Sequence, residues 1–196
     1  MTEAVSRETE ALLARFVSLV LAENERQNLV AKSTIAEFTE RHVSDALQLI
    51  DLAPVGARWC DVGSGAGLPG LVIAIATGAP MALIEPRKLR AEFLRHCVAE
   101  LGLQQVKVHA AKAERVSGSF DVITARAVAE TSALFAMTSH LANSRTRWIL
   151  PKGRSAKKEL EDAQQSWQGV FSLVPSRTSD EAMIIVADKV RRRGKQ

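Results

Sequence analysis

The chain has 196 residues, a formal net charge of +4, 46% hydrophobic residues and 24% charged residues. That suits one α/β domain with its own core and excludes a mainly disordered chain. No apolar run reaches the ~20 residues of a membrane-spanning helix, and the opening MTEAVSRETE lacks the basic-then-apolar order of a signal peptide. A cytoplasmic location is therefore expected. Cys60 and Cys97 are too few and too widely spaced for a disulfide framework or a four-ligand zinc site, so no metal is expected. Cys60 lies in an apolar run and reads as a buried small hydrophobe.

Residues 7–27 carry Leu12, Leu13, Phe16, Val17, Val20 and Leu21 at helical spacing. A second helix is expected from a cap at Ser33 or Thr34, with Ile35, Phe38, Val43, Ala46, Leu47 and Ile50 on its apolar face, ending at Pro54 and Gly56. The rhythm then changes. Short apolar runs at Arg58–Val62, Met81–Glu85, Val106–Ala110, Phe120–Ala125 and Arg147–Leu150 read as strands. Helical patterns at Leu68–Ala76, Arg87–Leu101, Glu130–Ala142 and Lys157–Gln165 separate or follow them. This alternation predicts a mainly parallel sheet covered on both faces. Gln168–Val174 and Glu181–Asp188 are expected to pair as an antiparallel edge. The expected organisation is a helical extension over 1–55, an α/β domain over 56–190 and a basic tail over 191–196, in one compact unit.

Charge is unevenly placed. Residues 145–196 hold 12 Lys/Arg against 6 Asp/Glu, whereas residues 1–144 hold 14 against 16. The basic end can attract a polyanion or be an ordinary solvated surface.

The most informative segment is Asp61-Val62-Gly63-Ser64-Gly65-Ala66-Gly67-Leu68-Pro69-Gly70. It lies between a strand and a helix, where an open α/β sheet binds ligands. Glycines there let the backbone turn tightly and approach a ligand closely. Two cofactor classes compete. A dinucleotide fingerprint is met by Gly65, Gly67 and Gly70 with Glu85 twenty residues after the first. It needs extra loop residues after the strand, and it places Asp61 against a diphosphate. The second pattern is acid-x-G-x-G-x-G, met by Asp61, Gly63, Gly65 and Gly67. S-adenosylmethionine carries a sulfonium and an ammonium, which a strand-end carboxylate supports. Glu85, ending the second strand, can accept both ribose hydroxyls. The methyl donor is the better match.

These residues, with further segments, resemble the bacterial family RsmG, also called GidB. The segments are Arg41-His42-Val43-Ser44-Asp45-Ala46-Leu47, the loop Gly63–Gly70, Arg90 with Phe93-Leu94, Phe120-Asp121-Val122 with Ala125-Arg126-Ala127, and Lys152-Gly153. Ala46 stands where the family usually has Ser, Leu89 where a base is frequent, and Glu85 where Asp is common. The resemblance implies a class I, Rossmann-like S-adenosylmethionine-dependent methyltransferase with an N-terminal helical extension. It implies methylation of guanine N7 in 16S ribosomal RNA, naked or in the small ribosomal subunit. A monomer is expected. By matched position it implies cofactor contacts at Gly63, Leu68, Ala113, Glu114 and Arg126.

Guanine N7 has a free lone pair on the major-groove edge, so no general base is expected and catalysis is alignment. Arg126, at a strand end, is expected to orient substrate by holding the methionine carboxylate, guanine or a phosphate. His42 and Arg90 are assigned to RNA contact, His42 alternatively to a structural role. Lys152, Arg154, Lys157 and Lys158 are assigned to the RNA backbone. An NAD-dependent oxidoreductase and a non-catalytic RNA-binding factor are the competing functions.

Overall fold

The computed structural model describes residues 6–35 and 37–194. Seven strands form one sheet in the order β3-β2-β1-β4-β5-β7-β6. They are β1 (Trp59–Val62), β2 (Met81–Ile84), β3 (Val106–His109), β4 (Val122–Ala125), β5 (Arg147–Lys152), β6 (Trp167–Pro175) and β7 (Met183–Arg192). The first five run parallel. β7 is antiparallel to both β5 and β6, so it lies inside the sheet and β6 forms the edge. The expected mixed sheet is present. The strand order reverses between β1 and β4, the switch point where open α/β sheets form their ligand crevice.

The central strands read as continuous apolar runs because both faces are covered. One face carries Trp59, Met81, Leu83, Val122 and Ile149 against α1 (Arg7–Gln27), α2 (Ser44–Leu47), α3 (Gly70–Thr77) and α4 (Lys88–Glu100). The other carries Cys60, Ala82, Ile84, Ile123 and Trp148 against α5 (Thr131–Thr138) and α6 (Ala156–Ser166). Both cysteines are buried and free. Burial pushes the Cys60 thiol above its ordinary range and the Cys97 thiol up to about 12, which keeps them unreactive. Phe16 and Val20, fully buried, pin α1 to the sheet, each contributing ~1.5–3 kcal/mol of apolar burial. The first 55 residues therefore share one core with the sheet.

Two expectations need correction. The second helix is not continuous. A 3₁₀ turn at Lys32–Thr34 is followed by a π-helical turn at Thr39–Val43, which runs into the four-residue α2 and a further 3₁₀ turn at Ile50–Leu52. Thr34 is not a helix cap: its hydroxyl donates to the Ala31 carbonyl at 2.8 Å and its other partner is His42 Nε2 at 3.0 Å, not a helical amide. The basic run Arg191–Arg193 is also not a simple tail. Arg191 and Arg192 pair with Gln168 and Trp167 in the sheet, and the Arg192 guanidinium lies 5.2 Å from the Trp167 ring centroid. Lys195 lies outside the described residues.

Candidate active site

The loop after β1 is built from left-handed backbone. Gly63, Gly65 and Gly67 have φ of 70°, 51° and 89°, a region that costs L-residues ~1–2 kcal/mol. The loop is tied to the second strand by Gly63 and Ser64, whose amides both donate to the Ile84 carbonyl. Glu85 continues that tie. Its Oε2 accepts from Gly65 N at 3.0 Å and its Oε1 from Arg87 N at 2.8 Å. A carboxylate offers about four acceptor positions, so each oxygen keeps capacity for a ligand hydroxyl. Gly70 has a different role: a Cβ there would stand 2.7 Å from Asp61 Oδ2, so glycine lets α3 begin directly over the β1 tip. Leu68 turns into the core, 4% exposed.

Asp61 is wholly buried. Its Oδ2 accepts from Gly70 N at 3.1 Å, while Oδ1 has no hydrogen-bond partner among the described residues. The only other such buried side-chain atom there is Thr124 Oγ1. The two residues are register partners on β1 and β4 and so face the same side of the sheet. Burial raises the Asp61 carboxyl to about 7, against the opposing pull of Gly70 N and Arg126. A buried polar atom without a partner is costly. An ammonium or a water beside Asp61 and Thr124 would relieve both. The acid, the left-handed amide loop and the Glu85 carboxylate thus fit an amino-acid nucleoside with a cationic end. They fit a diphosphate poorly, because Asp61 already takes the first helical amide of α3.

Arg126 follows β4, and the next residue, Ala127, is left-handed at φ 55°, turning the chain sharply. Arg126 Nη1 donates to His42 Nδ1 at 3.1 Å and stands 3.9 Å from Asp45 Oδ2. Asp45 Oδ1 accepts from Gln48 Nε2 at 2.7 Å and from the Thr178 hydroxyl at 2.9 Å. These groups join the N-terminal helices, the β4 tip and the β6–β7 connection. Burial lowers the Arg126 guanidinium pKa, with Asp45 and Asp61 acting against that shift. Burial and the Arg126 charge lower His42 to about 4.

A cleft of about 820 Å³ opens beyond Arg126, over the ends of β4, β5 and the start of β7. Asp45, Arg126, Val128, Lys152 and Thr178 are among its walls. Val128 also stands over Gly63, where it is the nearest side chain to an added Cβ. It separates the glycine loop from the cleft.

The structure distributes the sequence-assigned residues unequally. Asp61, Gly63, Gly65, Gly67 and Glu85 come together. Ala113 is buried and Glu114 exposed in a 3₁₀ turn after β3, at the same carboxyl end of the parallel strands as the loop. Arg90 stands by the glycine loop: its Nη1 would lie 3.7 Å from a Cβ on Gly65. Lys152 is largely withdrawn from bulk solvent into the cleft wall. Its side chain is 9% exposed, 2.7 Å from Glu159 Oε2 and 2.8 Å from the Ala129 carbonyl. Arg154 pairs with Glu181 and Lys158 with Asp162, both at exposed positions. Lys157 is exposed. Asp45, Thr124, Val128 and Thr178 join the site without having been assigned from sequence. Asp45 had a signal, being an acid three residues after His42, whereas Val128 had none.

A family model described as GidB, rRNA small subunit methyltransferase G, matches residues 9–179. A protein of Sphingopyxis alaskensis named ribosomal RNA small subunit methyltransferase G is 44% identical, over 95% of this chain and 82% of its own length. One of the same name from Rhizorhabdus wittichii is 44% identical over 97% and 90%. Among solved structures, the glycopeptide N-methyltransferase MtfA complexed with S-adenosylmethionine superposes with TM-score 0.65 at 9% identity, covering 75% of this chain and 93% of its own. A SAM-dependent methyltransferase from Aquifex aeolicus gives 0.62 at 15% identity, covering 82% and 95%. The fold is that of class I methyltransferases, and the chain belongs to the GidB family, rRNA small subunit methyltransferase G.

Proposed function

We infer that this chain transfers a methyl group from S-adenosylmethionine to N7 of a guanine in 16S ribosomal RNA. The observation that carries this reading is the buried, half-paired Asp61 carboxylate under a loop of left-handed glycines. The family relatives supply the RNA class. When bound, the methyl donor supplies an electrophilic carbon on a positively charged sulfur. Asp61, with Thr124 beside it, holds the cationic end. Glu85 holds the ribose, and the turn containing Ala113 and Glu114 meets the adenine edge.

The acceptor enters the 820 Å³ cleft on the other side of Val128. N7 needs no deprotonation, so these residues supply position, exclusion of water and charge balance. Arg126 is set to hold the base or its phosphate, a donor-only group in a fixed fork. All three Trp and five of the six Phe are buried. The planar guanidinium of Arg126 therefore serves as the flat partner for an unstacked base. Among the described residues there is no cluster of three or more His, Cys, Asp or Glu able to hold a metal, and no helix long and apolar enough to cross a membrane. We place the chain in the cytoplasm with its RNA, acting as a monomer.

Calorimetric titration with S-adenosylmethionine and with NADH tests the donor. Binding of the first and not the second is expected. The reverse would overturn the reading in favour of hydride transfer.

A further inference from the structure

The cleft beside Arg126 is not a cationic surface. Glu37, Asp45, Glu130 and Glu159 share its walls with Arg41, Arg126 and Lys152. Of the cations expected to meet the RNA backbone, Lys152, Arg154 and Lys158 each stand against a carboxylate. Of these four cations, Lys157 alone makes no ion pair with a described carboxylate.

A second cleft, of about 790 Å³, lies at the other end of the sheet. Ser139, Asn143, Ser144, Val170, Lys189 and Arg191 are among its walls, and no carboxylate residue is. Lys189 and Arg191 are exposed and make no ion pair with a described carboxylate. Val170 is 60% exposed on the edge strand.

The backbone here is specifically shaped. The β6–β7 register slips between Gln168 and Val170. Opposite the slip, Lys189 has φ 53°, uncommon for any residue but glycine. Gly169 is required at the crossing, because a Cβ there would stand 2.7 Å from the Asp188 carbonyl oxygen. A bulge of this kind re-aims side chains locally. β7 starts at the reaction cleft with Met183 and Ile184 and reaches the second cleft at Lys189–Arg191. At ~3.3 Å per residue the two clefts are roughly 20 Å apart, several nucleotides of RNA.

We propose that the β6–β7 bulge cleft is a second RNA site, which holds the sugar-phosphate backbone of the ribosomal RNA away from the target base. Lys189 and Arg191 neutralise phosphates, and the Ser139, Asn143 and Ser144 side chains hydrogen-bond sugar and phosphate oxygens. This rests on ribosomal RNA being the substrate, and it separates the cations that bind RNA from the groups that align the base. Contacts of this type position a nucleic acid without reading its sequence.

The test is salt-dependent binding of in vitro transcribed 16S ribosomal RNA to the full chain and to a Lys189→Asn/Arg191→Gln variant. Asn tolerates the left-handed backbone at 189, and unchanged S-adenosylmethionine affinity checks the fold. A Lys157→Gln/Lys158→Gln variant serves as reference. The proposal predicts that the bulge variant binds RNA at least about tenfold more weakly near 0.1 M salt. Its log–log salt slope should be shallower by roughly 1.4, about 0.7 for each single-stranded phosphate that is no longer neutralised. KM for RNA should rise, with kcat at saturating RNA retained. Wild-type affinity and slope in the bulge variant, or weaker binding only in the reference variant, overturns the proposal. Loss of binding to the assembled small subunit but not to naked RNA also overturns it, and makes the cleft a protein-docking surface. A wild-type chain that binds S-adenosylmethionine but neither binds nor methylates the RNA defeats the substrate reading itself.

Discussion

Arg126 donates to Nδ1 of His42, and that contact settles which imidazole nitrogen carries the proton. A guanidinium has no acceptor, so Nδ1 is the bare nitrogen and Nε2–H points to the Thr34 hydroxyl 3.0 Å away. Phe38 holds the ring edge-on at 5.0 Å between centroids. We propose that His42 positions Arg126, which stands at the cleft. Replacing His42 by Ala is expected to lower kcat roughly 10–100-fold, the scale of a misplaced aligning group, with S-adenosylmethionine affinity kept. His42→Asn, whose amide oxygen can replace Nδ1 as acceptor, should recover much of that loss. Single-turnover methyl transfer is the check. Equal defects in both variants would show that the acceptor is not what matters.

The pH dependence of ligand-free stability has two opposing parts. Asp61 titrates at about 7 folded, against an ordinary 3.8. Its contribution is therefore fully present below 3.8 and is lost as pH rises through 7. His42 titrates at about 4 folded, against 6.5. Its contribution is present above 6.5 and is lost as pH falls towards 4. In thermal melts, Asp61→Asn should therefore gain on wild type as pH rises from 5 to 8. His42→Asn should gain as pH falls from 6.5 to 4. Parallel pH profiles for wild type and either variant would contradict the assignment.

A cationic ligand reverses the Asp61 effect by favouring the ionised acid. S-adenosylmethionine affinity should rise with pH up to about 7, by up to ~tenfold per unit, and then level off. Binding near pH 6.5 should release a proton, seen in calorimetry as a dependence on buffer ionisation enthalpy. Asp61→Asn should bind weakly and without that slope. A flat profile in wild type would place the ammonium elsewhere.

Two glycines separate binding from stability. Gly63 and Gly102 both have left-handed φ, but a Cβ at Gly102 meets nothing within 4 Å, while one at Gly63 meets Val128. Each Ala substitution should destabilise by ~1–2 kcal/mol. Only Gly63→Ala should also lose S-adenosylmethionine affinity, by about tenfold or more, the effect of ~1.4 kcal/mol. Chemical denaturation and titration of both variants check this.

Charge assigns Lys152 to RNA, and in the structure its ammonium stands against Glu159 and the Ala129 carbonyl. Its ion pair with Glu159 is nearly buried, and Glu159 also accepts from Thr131 N at 3.2 Å at the start of α5. Lys152→Met should cost about 3–5 kcal/mol, because it leaves a largely buried carboxylate without its cation. The salt slope of RNA binding should not change. A changed slope with wild-type stability would return Lys152 to the RNA backbone.

The strands are legible because buried parallel strands read as short apolar runs, and Asp61 and Glu85 are legible because glycine spacing locates the strand tips. The second helix departs from its expected continuity for a local reason: the π-turn at Thr39–Val43 breaks the 3.6-residue period, and that turn carries His42. Contacts far apart in the chain leave no local trace. Arg126–His42 spans 84 positions and Gln48–Ser176 spans 128. Exposed and ion-paired lysines look alike in a sequence. Lys152 and Lys158 therefore fall into one group there, while the basic run at Arg191 is legible but its cleft with Lys189, Ser139 and Asn143 is not, because those residues are far apart in the chain.

The most direct measurement incubates the chain with labelled S-adenosylmethionine and small-subunit RNA from cells lacking the gene, then maps the label by nuclease digestion and mass spectrometry. One 7-methylguanosine is expected, formed by wild type and absent with Gly63→Asp. Label on another atom or on no nucleotide, with both ligands shown to bind, would contradict it.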